Sequence, residues 1–193
     1  MSFPGIPSLD AAVMAFIQTH FHNTVTDTVF PIITSLGEAG IGWIVLSLVL
    51  LCFKKTRRTG GLVLIAMTVT LLFGELTLKN IICRLRPCNV FTDFPMLIAR
   101  PTSYSFPSGH TSSSFAAALI LTLRHKKVGW LAYIPAVLIA FSRIFLFVHY
   151  PTDVLAGILL GTLAALLTYF AAKAIQKRQA EKRQFTNTTL RKV

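Results

Sequence analysis

Long apolar blocks alternate with short basic clusters along this chain. Five blocks read as membrane spans: Ala39 to Phe53, Gly60 to Ile82, Pro107 to Leu123, Val128 to Val148 and Val154 to Ile175. A helix crossing a hydrocarbon layer of ~30 Å needs about 17 to 25 apolar residues. The first and third blocks are short by that measure, so each must extend into a polar flank or be shielded by neighbours. Ahead of them, Leu9, Val13, Phe16 and Ile17 recur at helical spacing, as do Val25, Val29, Ile32, Ile33 and Leu36. Two interfacial amphipathic helices fit that pattern. A single crossing from Leu9 to Ile33 would instead leave His20, His22, Asn23 and Asp27 in lipid, where such residues are costly. The polar stretch from Gln176 to Val193 predicts a frayed tail beyond the membrane surface. The pattern therefore predicts an all-α fold: one integral membrane helical bundle of about five transmembrane helices, preceded by amphipathic helices. Its divisions are an interfacial segment (1–38), a transmembrane core (39–175) and a cytoplasmic basic tail (176–193).

Composition strengthens this reading. Of 193 residues, 53% are hydrophobic and 13% charged, against about a quarter charged in ordinary soluble domains. The net charge of +12 would suggest nucleic acid as a partner, but the placement of the charges says otherwise. No Lys or Arg precedes Lys54. One cluster is Lys54, Lys55, Arg57 and Arg58, a second is Arg124, Lys126 and Lys127, and seven more follow from Lys173 onward, 14 of the 19 in all. These clusters lie at alternate ends of consecutive spans, so one side of a bilayer accommodates all three, and short basic loops belong on the cytoplasmic side. The expectation is a multi-pass plasma-membrane protein with its C-terminus in the cytoplasm. The N-terminus, the segment Cys83 to Phe106 and the corner His149 to Asp153 then lie outside. With no basic residue in the first 53, a cleavable signal peptide is not expected. Cys52, Cys83 and Cys88 are too few for a disulfide scaffold and lack zinc-site spacing; the latter two read as small residues near the membrane rather than a redox pair.

Five cations, Lys79, Arg84, Arg86, Arg100 and Arg143, remain unexplained by topology. Ionisable residues within or just outside a membrane are expensive and so point to function. They gather with other polar residues in three places: Lys79 with Arg86 and Pro87; the run Ser105 to His110 ahead of an apolar helix; and Ser142 with Arg143, followed by His149, Tyr150, Pro151, Thr152 and Asp153. On the span count above, all three open on one face. The set suits a phosphoryl group. Arg forks grip phosphate oxygens in pairs and Lys acts as a point charge. Pro107 at a helix start leaves the amides of Ser108, Gly109 and His110 free for an anion that the helix dipole favours. A histidine held by a carboxylate makes an oriented nucleophile, and a second can protonate a leaving oxygen.

Lys79 to Pro87, Pro107 to His110, and Ser142 and Arg143 with His149 and Asp153 resemble, in order and spacing, the three signature motifs of the type 2 phosphatidic acid phosphatase (PAP2) superfamily. The resemblance runs from about the first span to the fifth. It implies a helical membrane bundle that hydrolyses lipid phosphates or diphosphates without metal or other cofactor. Residue by residue, it implies that His149 attacks phosphorus to form a phosphohistidine, Asp153 holds its other nitrogen, and His110 protonates the departing lipid oxygen and then activates water. Lys79, Arg86, Arg143, Ser108 and Gly109 would bind the phosphate oxygens. The extra N-terminal span of many six-span relatives is replaced here by amphipathic segments. Gly109 leans towards the phosphatidylglycerophosphate and broad-range branch, because undecaprenyl diphosphatases of the bacitracin-resistance type often carry Asp there. Two alternatives share the scaffold: a lipid phosphotransferase, and a non-catalytic lipid-phosphate carrier, which would not need His149 with Asp153.

Several residues carry blander expectations. Glu75, four residues before Lys79, pairs with it as a structural partner. Arg84 and Arg100 read as headgroup or solvated rim contacts. His20, His22 and His125 show no partner pattern, and Tyr104 and Phe106 read as interfacial aromatics near the lipid entrance.

Overall fold

In the computed structural model, which describes Phe3 and residues 5–190, the last six by backbone alone, every regular element is helical. Helices α1 (Ser8–His20) and α2 (Thr24–Leu36) are followed by a short 3₁₀ turn and α3 (Ile41–Cys52). A long helix follows in three parts: α4 (Arg57–Thr70), a π-helical stretch (Leu71–Leu78) and α5 (Lys79–Ile82). The short α6 (Pro87–Val90) opens an irregular loop, after which come α7 (Gly109–Arg124), α8 (Tyr133–Phe145) and α9 (Pro151–Leu190).

Large apolar side chains cover the outside rather than hide within. Leu46, Leu72, Phe73, Leu159, Leu167 and Phe170 are all exposed, a distribution that a soluble surface does not tolerate and a lipid-facing one requires. The helices from Arg57 to Val90 and from Pro151 to Gln184 are each long and apolar enough to cross a membrane. The α2 and α3 helices meet that test as a pair bent by 45°. The bend lies at Gly37 to Gly40, where Ala39 and Gly40 have φ of 47° and 71°. The short first block thus gains length from α2. The apolar stripe of α2 faces outward, with Val25, Val29, Ile32 and Leu36 exposed, while Thr34 is its buried residue. A frayed tail is not what is seen: α9 continues through Gln176 to Leu190, and 191–193 lie outside the described residues. Ala, Lys, Gln, Glu and Arg dominate this stretch, and all are strong helix formers.

The core is built around α7, which packs against α4, α8 and α9. Between lipid-bathed helices no hydrophobic force remains to drive association, so close van der Waals packing of small residues must supply it. Here Ala116, Ala117, Ser112 and Ser114 of α7 are fully or almost fully buried. Gly157 and Gly161 of α9 lie against its backbone, and a Cβ on Gly157 would come within 2.7 Å of the Ser108 carbonyl. This contact fixes the beginning of α9, with the corner His149 to Asp153, beside the beginning of α7. The Ser108 amide donates to the Asp153 carbonyl at 3.1 Å and closes the register.

Candidate active site

The three motifs converge on one cavity of about 950 Å³. Lys79, Arg86, Gly109, His110, Arg143 and His149 line its polar wall, and Ile44, Leu64, Met67 and Leu71 its apolar side. Tyr104 and Phe106 do not line it.

His149 follows a turn in which Phe147 has φ of 59°, and its ring is almost completely buried. Arg86 Nη1 lies 2.8 Å from His149 Nε2. Guanidinium has no acceptor, so Nε2 must accept and the ring proton must sit on Nδ1. That nitrogen faces Asp153 Oδ2 at 3.5 Å and the Ser105 hydroxyl at 3.5 Å. Asp153 Oδ2 also accepts from Ser105 Oγ and, at 2.9 Å, from the Tyr150 amide. Burial, reinforced by Arg86 and Arg143, pushes the His149 pKa well below the usual imidazole value, which favours the neutral ring whose Nε2 accepts from Arg86.

Arg86 is itself oriented by its Nε and Nη2, which donate to the Ser103 carbonyl and hydroxyl at 2.8 and 3.0 Å. Arg143 Nη1 donates to Thr34 Oγ1 at 2.5 Å, while its buried Nε has no hydrogen-bond partner among the described residues. Lys79 Nζ sits between the two Glu75 oxygens at 2.8 and 2.7 Å, and the expected pair is therefore present. His110 follows Gly109 at the start of α7, with a buried Nε2 that makes no hydrogen bond among the described residues and lies 3.6 Å from Glu38 Oε2. The Ser108 hydroxyl caps α7, bonding Thr111 Oγ1 at 2.9 Å, and does not face the cavity. Gly109 does face it, and a Cβ there would run into the Glu75 carboxylate.

Some residues take roles that sequence reading did not give them. Arg84 is not a headgroup or rim contact: it bridges Asp153 and Asp10 at 2.7 Å each. Arg100 holds the loop that follows α6 through the Cys88, Thr92 and Phe94 carbonyls while bordering the cavity. His22 pairs with Asp27 at 2.7 Å, His125 bonds Thr59 at 3.0 Å, and His20 bonds the carbonyl of Phe16, so all three have structural partners. Cys83 is exposed, Cys88 is buried, and both are free thiols. Glu38 and Asp10 join the site unannounced, while Ser105, already part of the second cluster, proves to bind Asp153. A lone carboxylate beside the apolar stripe of α1 was the available signal for Asp10.

Residues 59–177 match the PAP2 superfamily profile, and the chain belongs to that superfamily. An undecaprenyl-diphosphatase of Sulfolobus acidocaldarius is 39% identical over 127 residues, 65% of this chain. The chain spans 61% of that relative's length. The crystal structure of a transmembrane PAP2-type phosphatidylglycerolphosphate phosphatase from Bacillus subtilis superposes with a TM-score of 0.71 at 29% identity, covering 90% of this chain and 89% of that one. That of Aquifex aeolicus LpxE gives 0.73 at 24% identity, over 88% and 99% of the two chains, and supports the fold.

Proposed function

We propose that the protein is a membrane phosphatase that removes phosphate from lipid phosphates or diphosphates through a phosphohistidine on His149. The observation that carries this reading is the placement of the His149 ring: Nδ1 faces Asp153, Nε2 lies against the Arg86 fork, and both residues line the cavity. An entering phosphoryl group takes the Arg86 contact for one of its oxygens, which frees Nε2 for in-line attack. The N–P bond forms as the P–O bond to the lipid breaks, and His110 delivers the proton to the departing oxygen. Arg86, Arg143 and Lys79, with the Gly109 amide, stabilise charge on the equatorial oxygens. Water then attacks phosphorus, His110 takes its proton, and inorganic phosphate leaves with Nε2 restored. Asp153 stabilises the cationic ring while it is charged.

The apolar side of the cavity suits the first part of a lipid chain, and the relatives' names place both prenyl diphosphates and phosphatidylglycerophosphate among the substrates to try. In this reading five crossings place the cavity on the extracytoplasmic face of the plasma membrane and the C-terminus in the cytoplasm.

The test is phosphate release in detergent, with chelator present, from undecaprenyl diphosphate, phosphatidylglycerophosphate and phosphatidic acid. The wild-type protein is expected to release phosphate from at least one, and His149→Ala to lose turnover while remaining folded. Undiminished release by the variant would overturn the assignment.

A further inference from the structure

Asp153 is fully buried, and so is Asp10, a residue of α1 outside the three motifs. A single guanidinium joins them. Arg84 Nη1 donates to Asp153 Oδ1 at 2.7 Å and Nη2 to Asp10 Oδ2 at 2.7 Å. Nη1 also reaches Thr152 Oγ1 at 2.7 Å, and the guanidinium lies 3.8 Å from the centre of the Tyr150 ring. Asp10 in turn accepts from the Thr152 amide at 2.9 Å and from its hydroxyl at 2.7 Å. The α1 helix is further pinned by Gln18 Nε2, which donates to the carbonyls of Ile144 and Phe145 at 3.3 and 3.0 Å.

The two oxygens of Asp153 thus have separate duties. Oδ2 serves His149, Ser105 and the Tyr150 amide, while Oδ1 is bound by Arg84. A carboxylate that must stabilise a transient imidazolium has to keep one orientation throughout the reaction, and a fork gripping its far oxygen supplies that constraint. Arg84 alone would be a poor anchor, since its side chain is 24% exposed; Asp10 holds the other end.

We propose that Arg84 and Asp10 are positioning residues for the nucleophile, fixing Asp153 behind His149 and making the N-terminal helix part of the catalytic apparatus. The proposal rests on the assignment of His149 as nucleophile. The alternative is a staple that merely holds α1 in place, and steady-state kinetics separates the two. Asp10→Asn keeps the shape of the site but weakens the grip on Arg84, and Arg84→Lys keeps the charge but cannot reach both carboxylates as a fork.

Each variant is expected to lower kcat about 10- to 100-fold, the range seen when a partner behind a reacting group is lost. KM should stay within about twofold, because neither residue lines the cavity. The double variant should be no worse than the weaker single one, since the two act as one unit. Wild-type kcat per folded molecule in both variants, with the loss confined to yield or melting temperature, would overturn the proposal while leaving a dead His149→Ala intact. Turnover by His149→Ala would overturn the nucleophile and the positioning role together.

Discussion

Gly109 shows how tightly single residues are coupled in this site. Glu75 occupies the space a side chain at 109 would need and is bound to Lys79. Gly109→Asp would set two carboxylates against each other at the wall of the cavity, and like charges in one partly buried place strongly disfavour shared ionisation. We expect kcat/KM to fall by about tenfold or more, equivalent to about 1.4 kcal/mol. Adding Glu75→Ala hands Lys79 to the new aspartate and should recover most of the loss. Equal activity of Gly109→Asp and wild type would refute the coupling. His149, His110, Lys79, Arg86 and Arg143 were legible because their spacing places chemistry-bearing residues at the ends of spans. The pairing of Asp10 with Arg84 was not, because a contact across 74 residues leaves no local periodicity in either segment.

Among the helices, the pairing of α7 with α9 sets the geometry of the site. Gly161 leaves room for the Ser112 carbonyl and the Ala116 amide, and Gly157 for Ser108 and Thr111. Gly161→Leu would force the helices apart. Overpacking of this kind costs typically about 1–3 kcal/mol, and the displacement would also carry Asp153 away from the start of α7. Both thermal stability and turnover should fall, measured by melting in detergent and by phosphate release. Gly61→Ala is the control: a Cβ there meets nothing within 4 Å, so stability should hold or rise. Apolar length alone located the long helices, and helical spacing located α1 and α2. It did not say which way α2 faces. An apolar stripe means core in water and lipid contact in a bilayer, and the buried Thr34, partner of Arg143, lies on the face that spacing ranked as polar. The continuation of α9 was hidden for a related reason, since a polar helix carries no apolar period.

At the scale of the whole molecule, the arrangement of charge argues for the proposed topology. The exposed Lys54, Lys55, Arg57 and Arg58 stand at the turn between α3 and α4, at the opposite end of the long helix from Arg86 and the cavity. In a background with Cys52 and Cys83 replaced by Ser, a membrane-impermeant thiol reagent applied to intact cells should label Thr92→Cys and spare Lys55→Cys. The reverse pattern would put the cavity on the cytoplasmic side. The pairing of Asp10 with Thr152 has a further consequence, for the birth of the protein. The two are 142 residues apart, and at about 5–20 residues per second a ribosome needs roughly 7 to 30 s to travel between them. Arg84 emerges about midway through that interval, but Thr152 and Asp153 come last, so until then the pair of Asp10 and Arg84 has no corner to hold. The network that ties α1 to the start of α9 therefore closes only when the final helix docks.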